Sequence, residues 1–424
     1  MGANVLTENM YFVMRTMNST GWRQHLMLLG CCLLAACNGG GSSSSDSLAL
    51  ADKAALGESL FFDVNLSHDR TQACATCHDP DHAFIDGRLN VEGKVAAAST
   101  GDDGISIGDR NAPTAAYAAF GPDFHTGSKT RFNSQQSDYS GFLGGQFVDG
   151  RAANLAEQAG GPPLNPLEMN MPDEASVVER LQENADYVAA FKHFYGDEIF
   201  DDVDAAYAAM TESIAAFEKT DTFASFDSRY DRFLNGEYPE YILTKAAVGK
   251  ALFFSQTDTN CATCHQLHAN GHKQETFTSY EYHNIGVPEN TALRAINGKD
   301  ESFVDFGLWE NSAVTDEAEK GKFKVPTLRN VAVTAPYMHN GVFRELKTVV
   351  LFYDHFNNPE NTNNPETGEA WADPEVADTV NTTELEDGDI FTDEEVEAMV
   401  CFLRSLTDAR YEQLIPVDDI DCGW

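Results

Sequence analysis

Two stretches carry residue types at a spacing that can do chemistry: Cys74-Ala75-Thr76-Cys77-His78 and Cys261-Ala262-Thr263-Cys264-His265. In such a Cys-x-x-Cys-His pentad two thiols form thioethers with the vinyl groups of one haem, and the adjacent imidazole ligates its iron. With 9 Cys and 12 His in 424 residues, chance supplies a pentad about 0.005 times per chain. The pair therefore predicts two c-type haems. The competing reading is a zinc site made of four cysteines. Zinc ribbons place their halves roughly 15–20 residues apart, whereas these lie roughly 190 apart and each is followed at once by His.

The chain leading into each pentad also repeats. Lys53-Ala54-Ala55-Leu56-Gly57 runs to Leu60-Phe61-Phe62, and Lys245-Ala246-Ala247-Val248-Gly249 runs to Leu252-Phe253-Phe254. The interval from the glycine to the first cysteine is longer in the first copy, which places the length change in a loop. One cytochrome unit has been duplicated. The expected fold is mainly α, with two cytochrome c-like haem domains at 47–235 and 236–424.

The first 36 residues read as a targeting segment. Arg15 and Arg23 precede the apolar run Leu26 to Ala36, too short for a comfortable membrane span. Leu34-Ala35-Ala36-Cys37 resembles a lipoprotein lipobox, with Cys37 as the lipidated mature N-terminus, and Gly39 to Ser45 reads as a flexible tether within 37–46. The expectation is a periplasmic protein held to a bacterial membrane only through that lipid, since bacterial haem attachment takes place outside the cytoplasm. Beyond the leader, Cys37 and the pentads, Cys401 and Cys422 remain. In an oxidising compartment they form a disulfide pinning the tail; the alternative is a buried Cys401 and a free Cys422.

The formal charge of −39 excludes nucleic acid, which needs a basic footprint. It suits a basic partner such as a small electron-transfer protein, or simply a solvated acidic surface. Helical spacing runs from Glu174 to Tyr195 and again from Val203 to Phe217. A terminal helix spans Asp393 to Leu406 with Thr392 as N-cap. Phe120 to Gly145 reads as a long surface loop and Asn357 to Asp389 as a mobile excursion.

Further motifs stand in order along the chain: Arg110-Asn111-Ala112-Pro113-Thr114, Asp149-Gly150-Arg151-Ala152, Asn165-Pro166-Leu167-Glu168-Met169, and Phe323-Lys324-Val325-Pro326-Thr327-Leu328-Arg329-Asn330 running on to Ala335-Pro336-Tyr337-Met338-His339. With the pentads, these resemble the bacterial di-haem cytochrome c peroxidase family, which includes the MauG enzymes. The resemblance covers roughly residues 50 to 355 plus the terminal helix.

It implies that the first haem reacts with hydrogen peroxide and the second relays electrons. His78 is then proximal ligand to the peroxidatic iron, Glu168 the catalytic carboxylate, and Gln158 and Pro162 match a MauG-type distal pocket. A carboxylate above an open iron suits peroxide cleavage, because a proton must pass from one oxygen to the other. At the second haem His265 is proximal and the family spacing puts Tyr353 at the sixth position, with Met338 as the fallback. A phenolate would lower the potential and a thioether raise it. A calcium ion between the haems maps to Asn111, Thr334 and Pro336, oxygen ligands that suit a hard cation. Homodimers are common in the family.

Two departures stand out. The family usually has Trp where this chain has Val148, so Phe147 or Tyr337 would take over between the haems, or transfer would rely on haem-edge proximity. No His lies in Val91 to Arg110, where many of the peroxidases carry a blocking ligand, so the first haem is expected open; His82 and His125 are expected to face solvent. The resemblance thus implies an exported peroxidase fed by a small cytochrome c or copper protein. The alternatives are a MauG-like enzyme oxidising Trp or Tyr on a partner protein, and a plain di-haem electron carrier.

Overall fold

Each copy of the repeat is a helix beginning just after Asp52 or Thr244 and crossed by a longer helix at its glycine. The computed structural model describes residues 50–131, 136–267, 274–300 and 302–424; the leader, the lipobox Cys37 and the tether lie outside them. In the first half α1 (Lys53–Phe61), α2 (Cys74–Cys77), α3 (Leu155–Ala159), α4 (Glu174–Gln182), α5 (Ala185–Tyr195), α6 (Val203–Glu218) and α7 (Arg229–Leu234) follow one another. In the second, α8 (Lys245–Phe253), α9 (Cys261–Cys264), α10 (Thr291–Arg294), α11 (Leu346–Asp354), α12 (Thr382–Leu385) and α13 (Asp393–Arg404) do the same. Asp52 starts α1 by accepting from Ala55 N–H at 2.8 Å. α1 packs on α6 and α8 on α13. A Cβ on Gly57 would stand 1.9 Å from Ser213 O, and one on Gly249 1.9 Å from Ala398 O. The two glycines repeat because each lets a helix backbone touch its partner.

The mainly helical fold is as expected. Two apolar clusters form, one from Leu56 to Phe223 and one from Tyr230 to Cys422, inside one compact unit, Ser47–Trp424. Thr392 caps α13 in a reciprocal box with Glu395. Cys401 and Cys422 are joined as a disulfide with Cα atoms 5.4 Å apart, tying the tail to α13.

Three expectations change. The stretch Glu174–Tyr195 is two helices, because Asn184 takes the Asp186 N–H at 2.9 Å and starts a new one. The surface loop 120–145 contains an antiparallel hairpin, β1 (His125–Lys129) with β2 (Tyr139–Leu143), Gly127 opposite Gly141. Its Phe124 and Phe142 stack at 5.4 Å beside the buried Tyr282, which lies in β3 (Tyr282–His283), paired with β4 (Phe323–Lys324). The excursion 357–389 is a strap over α11: Trp371 packs on Phe343 and Phe352, Glu366 accepts from Arg344 and Glu345 N–H, and Asn284 Nδ2 donates to Val376 O at 2.7 Å. A polar composition can still be ordered when one Trp and a few carboxylates find buried partners.

Candidate active site

Each pentad is one short helical turn, and its His follows with its backbone N–H on the carbonyl of the first cysteine. The imidazoles are then held from behind. His78 Nδ1 lies 3.1 Å from Phe84 O, and His265 Nδ1 lies 2.8 Å from Phe277 O. A carbonyl at Nδ1 fixes the proton there and leaves Nε2 with its lone pair free for iron. Both carbonyls come from residues with positive φ, 58° at Phe84 and 53° at Phe277, so the strained turn is itself duplicated. Burial pushes His265 down to about 4 and His78 down as well, keeping both neutral and able to ligate.

The four pentad thiols do not converge. Among the described residues, the groupings able to hold a metal are Cys264–Glu281–His283 and His68–Asp69–Asp102, which removes the four-cysteine zinc reading. Burial pushes Cys74 up to about 12 and Cys77 and Cys261 up to about 11. A thiol paired within its own pentad, beside an imidazole with free Nε2, fits covalent haem.

Beside the first pentad lies a cavity of about 370 Å³ lined by Phe147, Arg151, Glu157, Pro162, Asn165 and Glu168, among others. Pro162 opens a tight turn whose carbonyl accepts from Asn165 and Met169 N–H, and this bend carries Glu168 to the wall. Its Oε1 accepts from Asn165 Nδ2 at 2.8 Å. Burial raises the carboxyl above its ordinary value, while Arg151 and the Asn165 bond pull it part of the way back. The same carboxylate is among the charges that raise Cys74 and Cys77, so it stands on the haem-binding side. Arg151 lies flat on the Phe147 ring at 3.6 Å and reaches Asp149 at 2.8 Å.

Of the expected pocket residues, Pro162 and Glu168 line the cavity. Gln158 does not: on α3 its neighbour Glu157 takes the wall. No histidine is among the lining residues. His82 bonds Asp79 at 2.8 Å and His125 bonds Asp123 O at 2.7 Å, both on the exposed surface.

At the second pentad Tyr353 projects from α11. Burial raises its phenol first, and Cys264 and Cys261 lie close enough for their charges to add to that. Met338 packs against the second apolar cluster. Asn111 N–H donates to His339 O at 2.7 Å and its Nδ2 to Ala97 O at 3.2 Å. The first bond ties Asn111 to the segment bearing Thr334 and Pro336, and the second leaves Asn111 Oδ1 as the atom free to ligate.

Phe147 lines the cavity beside Glu168, and Tyr337 is buried in the second apolar cluster. At the Val148 position the backbone carbonyl accepts from Lys324 N–H at 2.8 Å, and Lys324 Nζ reaches Gly145 O at 2.5 Å. Burial pushes that ammonium down to about 8. Arg110 joins the halves, holding Asp149 at 2.5 Å and Asp305 at 2.6 Å.

One cluster has no local sequence signal. Glu281, fully buried, bonds His283 Nε2 at 2.9 Å and Arg131 at 3.1 Å, with Cys264 beside them. Burial pulls His283 down, but Cys264 and Glu281 outweigh it and push it up to about 10. Once Cys264 is a thioether it carries no charge, and its share of that upward push is lost, leaving Glu281 as the acidic partner of His283.

A chain that twice builds a cysteine pair, an imidazole aimed by a carbonyl and a glycine-crossed helix pair defines a di-haem c-type cytochrome. Residues 51–239 match the family model described as di-haem cytochrome c peroxidase, and residues 246–407 match cytochrome c. The methylamine utilization protein MauG of Paracoccus denitrificans is 46% identical over 85% of this chain and 90% of its own. The cytochrome c peroxidase Ccp of Escherichia coli is 32% identical over 69% of this chain and 50% of its own. The solved di-haem peroxidase BthA of Burkholderia thailandensis superposes with a TM-score of 0.72 at 31% identity, covering 88% of this chain and 90% of that one. The chain belongs to the di-haem cytochrome c peroxidase and MauG family.

Proposed function

We propose that the protein reduces hydrogen peroxide to water at the first haem, with electrons entering through the second from a small cytochrome c or copper protein. Cys74, Cys77 and His78 would hold the haem, whose iron would bind the peroxide and pass to it the electrons arriving through the second haem. Glu168 takes the proton of one peroxide oxygen and returns it to the other, which leaves as water. The observation that carries this reading is Glu168 itself, a half-buried carboxyl whose pKa burial raises, on the wall of a cavity with no histidine among its lining residues. Pro162 shapes the same wall, and Gln158 stands on α3 next to the wall residue Glu157. We place the domain boundary near residue 235, a few residues after the first apolar cluster gives way to the second between Phe226 and Tyr230.

A second reading is a MauG-like enzyme that draws its electrons from Trp or Tyr side chains of a partner protein. Tyr353 favours it, as the sixth ligand of the second iron with Met338 the fallback, because a phenolate stabilises oxidised iron. The 46% identity to a MauG protein supports it further. Calcium at Asn111, Thr334 and Pro336 fits the oxygen set there. The Cys401–Cys422 disulfide supports an oxidising compartment such as the periplasm. No helix among the described residues is long and apolar enough to cross a membrane. The lipobox Leu34-Ala35-Ala36-Cys37 supports a lipid anchor at Cys37.

Stopped-flow mixing of the fully oxidised holoprotein with peroxide tests both readings. Turnover only after partial reduction supports the peroxidase. A long-lived oxidised state of both haems without prior reduction supports the modifying enzyme. Absence of any reaction would leave only an electron carrier.

A further inference from the structure

The duplication extends to a pair of positions that the peroxide chemistry does not use. Pro113-Thr114-Ala115-Ala116-Tyr117 and Pro326-Thr327-Leu328-Arg329-Asn330 are the same turn in the two halves. Thr114 Oγ1 donates to Ala83 O at 2.6 Å and Thr327 Oγ1 to Thr276 O at 2.7 Å, in each case the residue before the phenylalanine that holds the proximal imidazole. The last residue of both turns is left-handed, φ 62° at Tyr117 and 61° at Asn330. Asn adopts that conformation readily; a bulky aromatic residue there is a genuine outlier. An outlier of this kind persists where the surroundings hold it and where it serves a function.

Both equivalent side chains meet at one carboxylate. Tyr117 OH donates to Asp408 Oδ1 at 2.5 Å, and Asn330 Nδ2 donates to Asp408 Oδ2 at 2.9 Å. Tyr117 is 2% exposed and Asp408 0%. The phenol lies between the two proximal loops. Ala115 N–H shares Phe84 O with His78 at 3.1 Å, and Tyr117 N–H donates to Phe223 O, whose ring stacks on Phe84 at 4.2 Å. On the other side the Arg329 guanidinium sits 5.6 Å from the Tyr117 ring, 4.9 Å from Phe226 and 5.2 Å from Phe277, whose carbonyl holds His265. A phenol with a short hydrogen bond to a buried carboxylate loses an electron more easily, because its proton has somewhere to go.

We propose that Tyr117 is a redox-active residue, a proton-coupled relay between the two haem units with Asp408 as its proton acceptor. The proposal rests on the peroxide reading for its oxidant, a haem oxidised by hydrogen peroxide. In the step, Tyr117 gives one electron to that haem, its O–H bond breaks, and the proton crosses to Asp408 Oδ1. A neutral phenoxyl and a neutral carboxylic acid result. One electron from the reductant and the same proton restore the phenol. Such a relay offers a route between the units that does not pass through Val148.

The test uses the holoprotein with ring-deuterated tyrosine. It is oxidised in two ways, by freeze-quenching after peroxide and by flash-quench with a ruthenium polypyridyl photo-oxidant that needs no peroxide chemistry. The expected result is a tyrosyl electron paramagnetic resonance signal that narrows on deuteration, is lost in Tyr117→Phe and survives in Tyr411→Phe. Asp408→Asn, which keeps the tyrosine, should weaken the signal while leaving the resting haem spectrum unchanged. Absence of a tyrosyl signal under both oxidants overturns the proposal, as does a signal that persists in Tyr117→Phe. If Tyr117→Phe fails to fold, an undiminished signal in Asp408→Asn overturns it. A signal under flash-quench together with haems inert to peroxide leaves the relay standing and removes the peroxidase reading instead.

Discussion

Replacing Glu168 by Gln isolates the proton transfer from everything else at the first haem. The amide keeps the volume, and its oxygen can still accept from Asn165 Nδ2, which the carboxylate now holds at 2.8 Å. Only the ability to take and return a proton is lost. A positioned acid–base group contributes about 10²–10⁴ in rate, which is about 2.7–5.4 kcal/mol of barrier. The second-order reaction of the holoprotein with peroxide, followed by stopped-flow absorbance in whichever redox state turns over, should slow by about that factor while the resting spectrum stays the same.

The pH profile adds a second constraint. Burial raises the Glu168 carboxyl, so it keeps its proton to a higher pH than an ordinary carboxylate. Only the unprotonated form can accept from peroxide, so the wild-type rate should rise with pH through an acid limb lying above the ordinary carboxylate value. That limb should be absent in Glu168→Gln. Arg151 pulls the carboxyl down, and its loss in Arg151→Leu should move the limb to higher pH. An unslowed Glu168→Gln with intact haem spectra would refute the assignment, and an unmoved limb in Arg151→Leu would refute its electrostatic cause.

Three further outcomes follow from the same geometry. Tyr353→Met should raise the potential of the second haem by on the order of 0.1 V or more, within the about 0.8 V that axial ligands span; an unchanged potentiometric titration would show that Tyr353 is not a ligand. Glu218 is buried in α6 with Oε2 unpartnered, and burial pushes it up to about 8. Its unfolded value is about 4.3, so between that and 8 only the unfolded state sheds the proton, and native stability falls by about 1.4 kcal/mol per pH unit. Glu218→Gln should therefore gain stability at pH 8 relative to pH 5 in denaturant melts, and a difference independent of pH would contradict this. Gly57→Ala should cost about 1–3 kcal/mol of stability, because its Cβ would meet Ser213 O at 1.9 Å; a gain, as helix propensity alone would give, would mean that α1 and α6 can part without cost.

What the sequence made legible was whatever repeats or sits in a short motif. The pentads named the haems because five adjacent residues do the whole attachment, and the repeat leading into each of them gave the duplication, while the helix crossings at Gly57 and Gly249 emerge only in the fold. Terminal helix α13 was readable from Thr392, a cap that acts within one turn and that the structure completes with Glu395. The misses share a cause too. Asn184 starts a new helix while the apolar period runs straight through it, so periodicity joined α4 to α5. Trp371 orders a strap of polar residues by packing on rings far away in sequence. Glu281 with His283 and Arg131, Arg110 with Asp305, and Tyr117 with Asp408 are partners only in the folded chain. No local spacing announces them, because tertiary packing alone chooses which buried charge meets which.

The duplication also sorts the residues that can make the two haems differ. Behind each imidazole the same device appears, a left-handed phenylalanine whose carbonyl holds Nδ1, braced by a threonine hydroxyl on the residue before it. The two bonds, 3.1 Å and 2.8 Å, are too alike to send one iron to peroxide and the other to electron relay. The difference must lie on the far side and in the nearby charge. There the copies have nothing in common: a proline turn brings a raised carboxyl to a cavity wall in one half, and a helix brings a phenol to the attachment cysteines in the other. If this is the source of the division of labour, the proximal variants Thr114→Val and Thr327→Val should shift both haem potentials in the same direction. Glu168→Gln and Tyr353→Met should each change one haem and leave the other as it was.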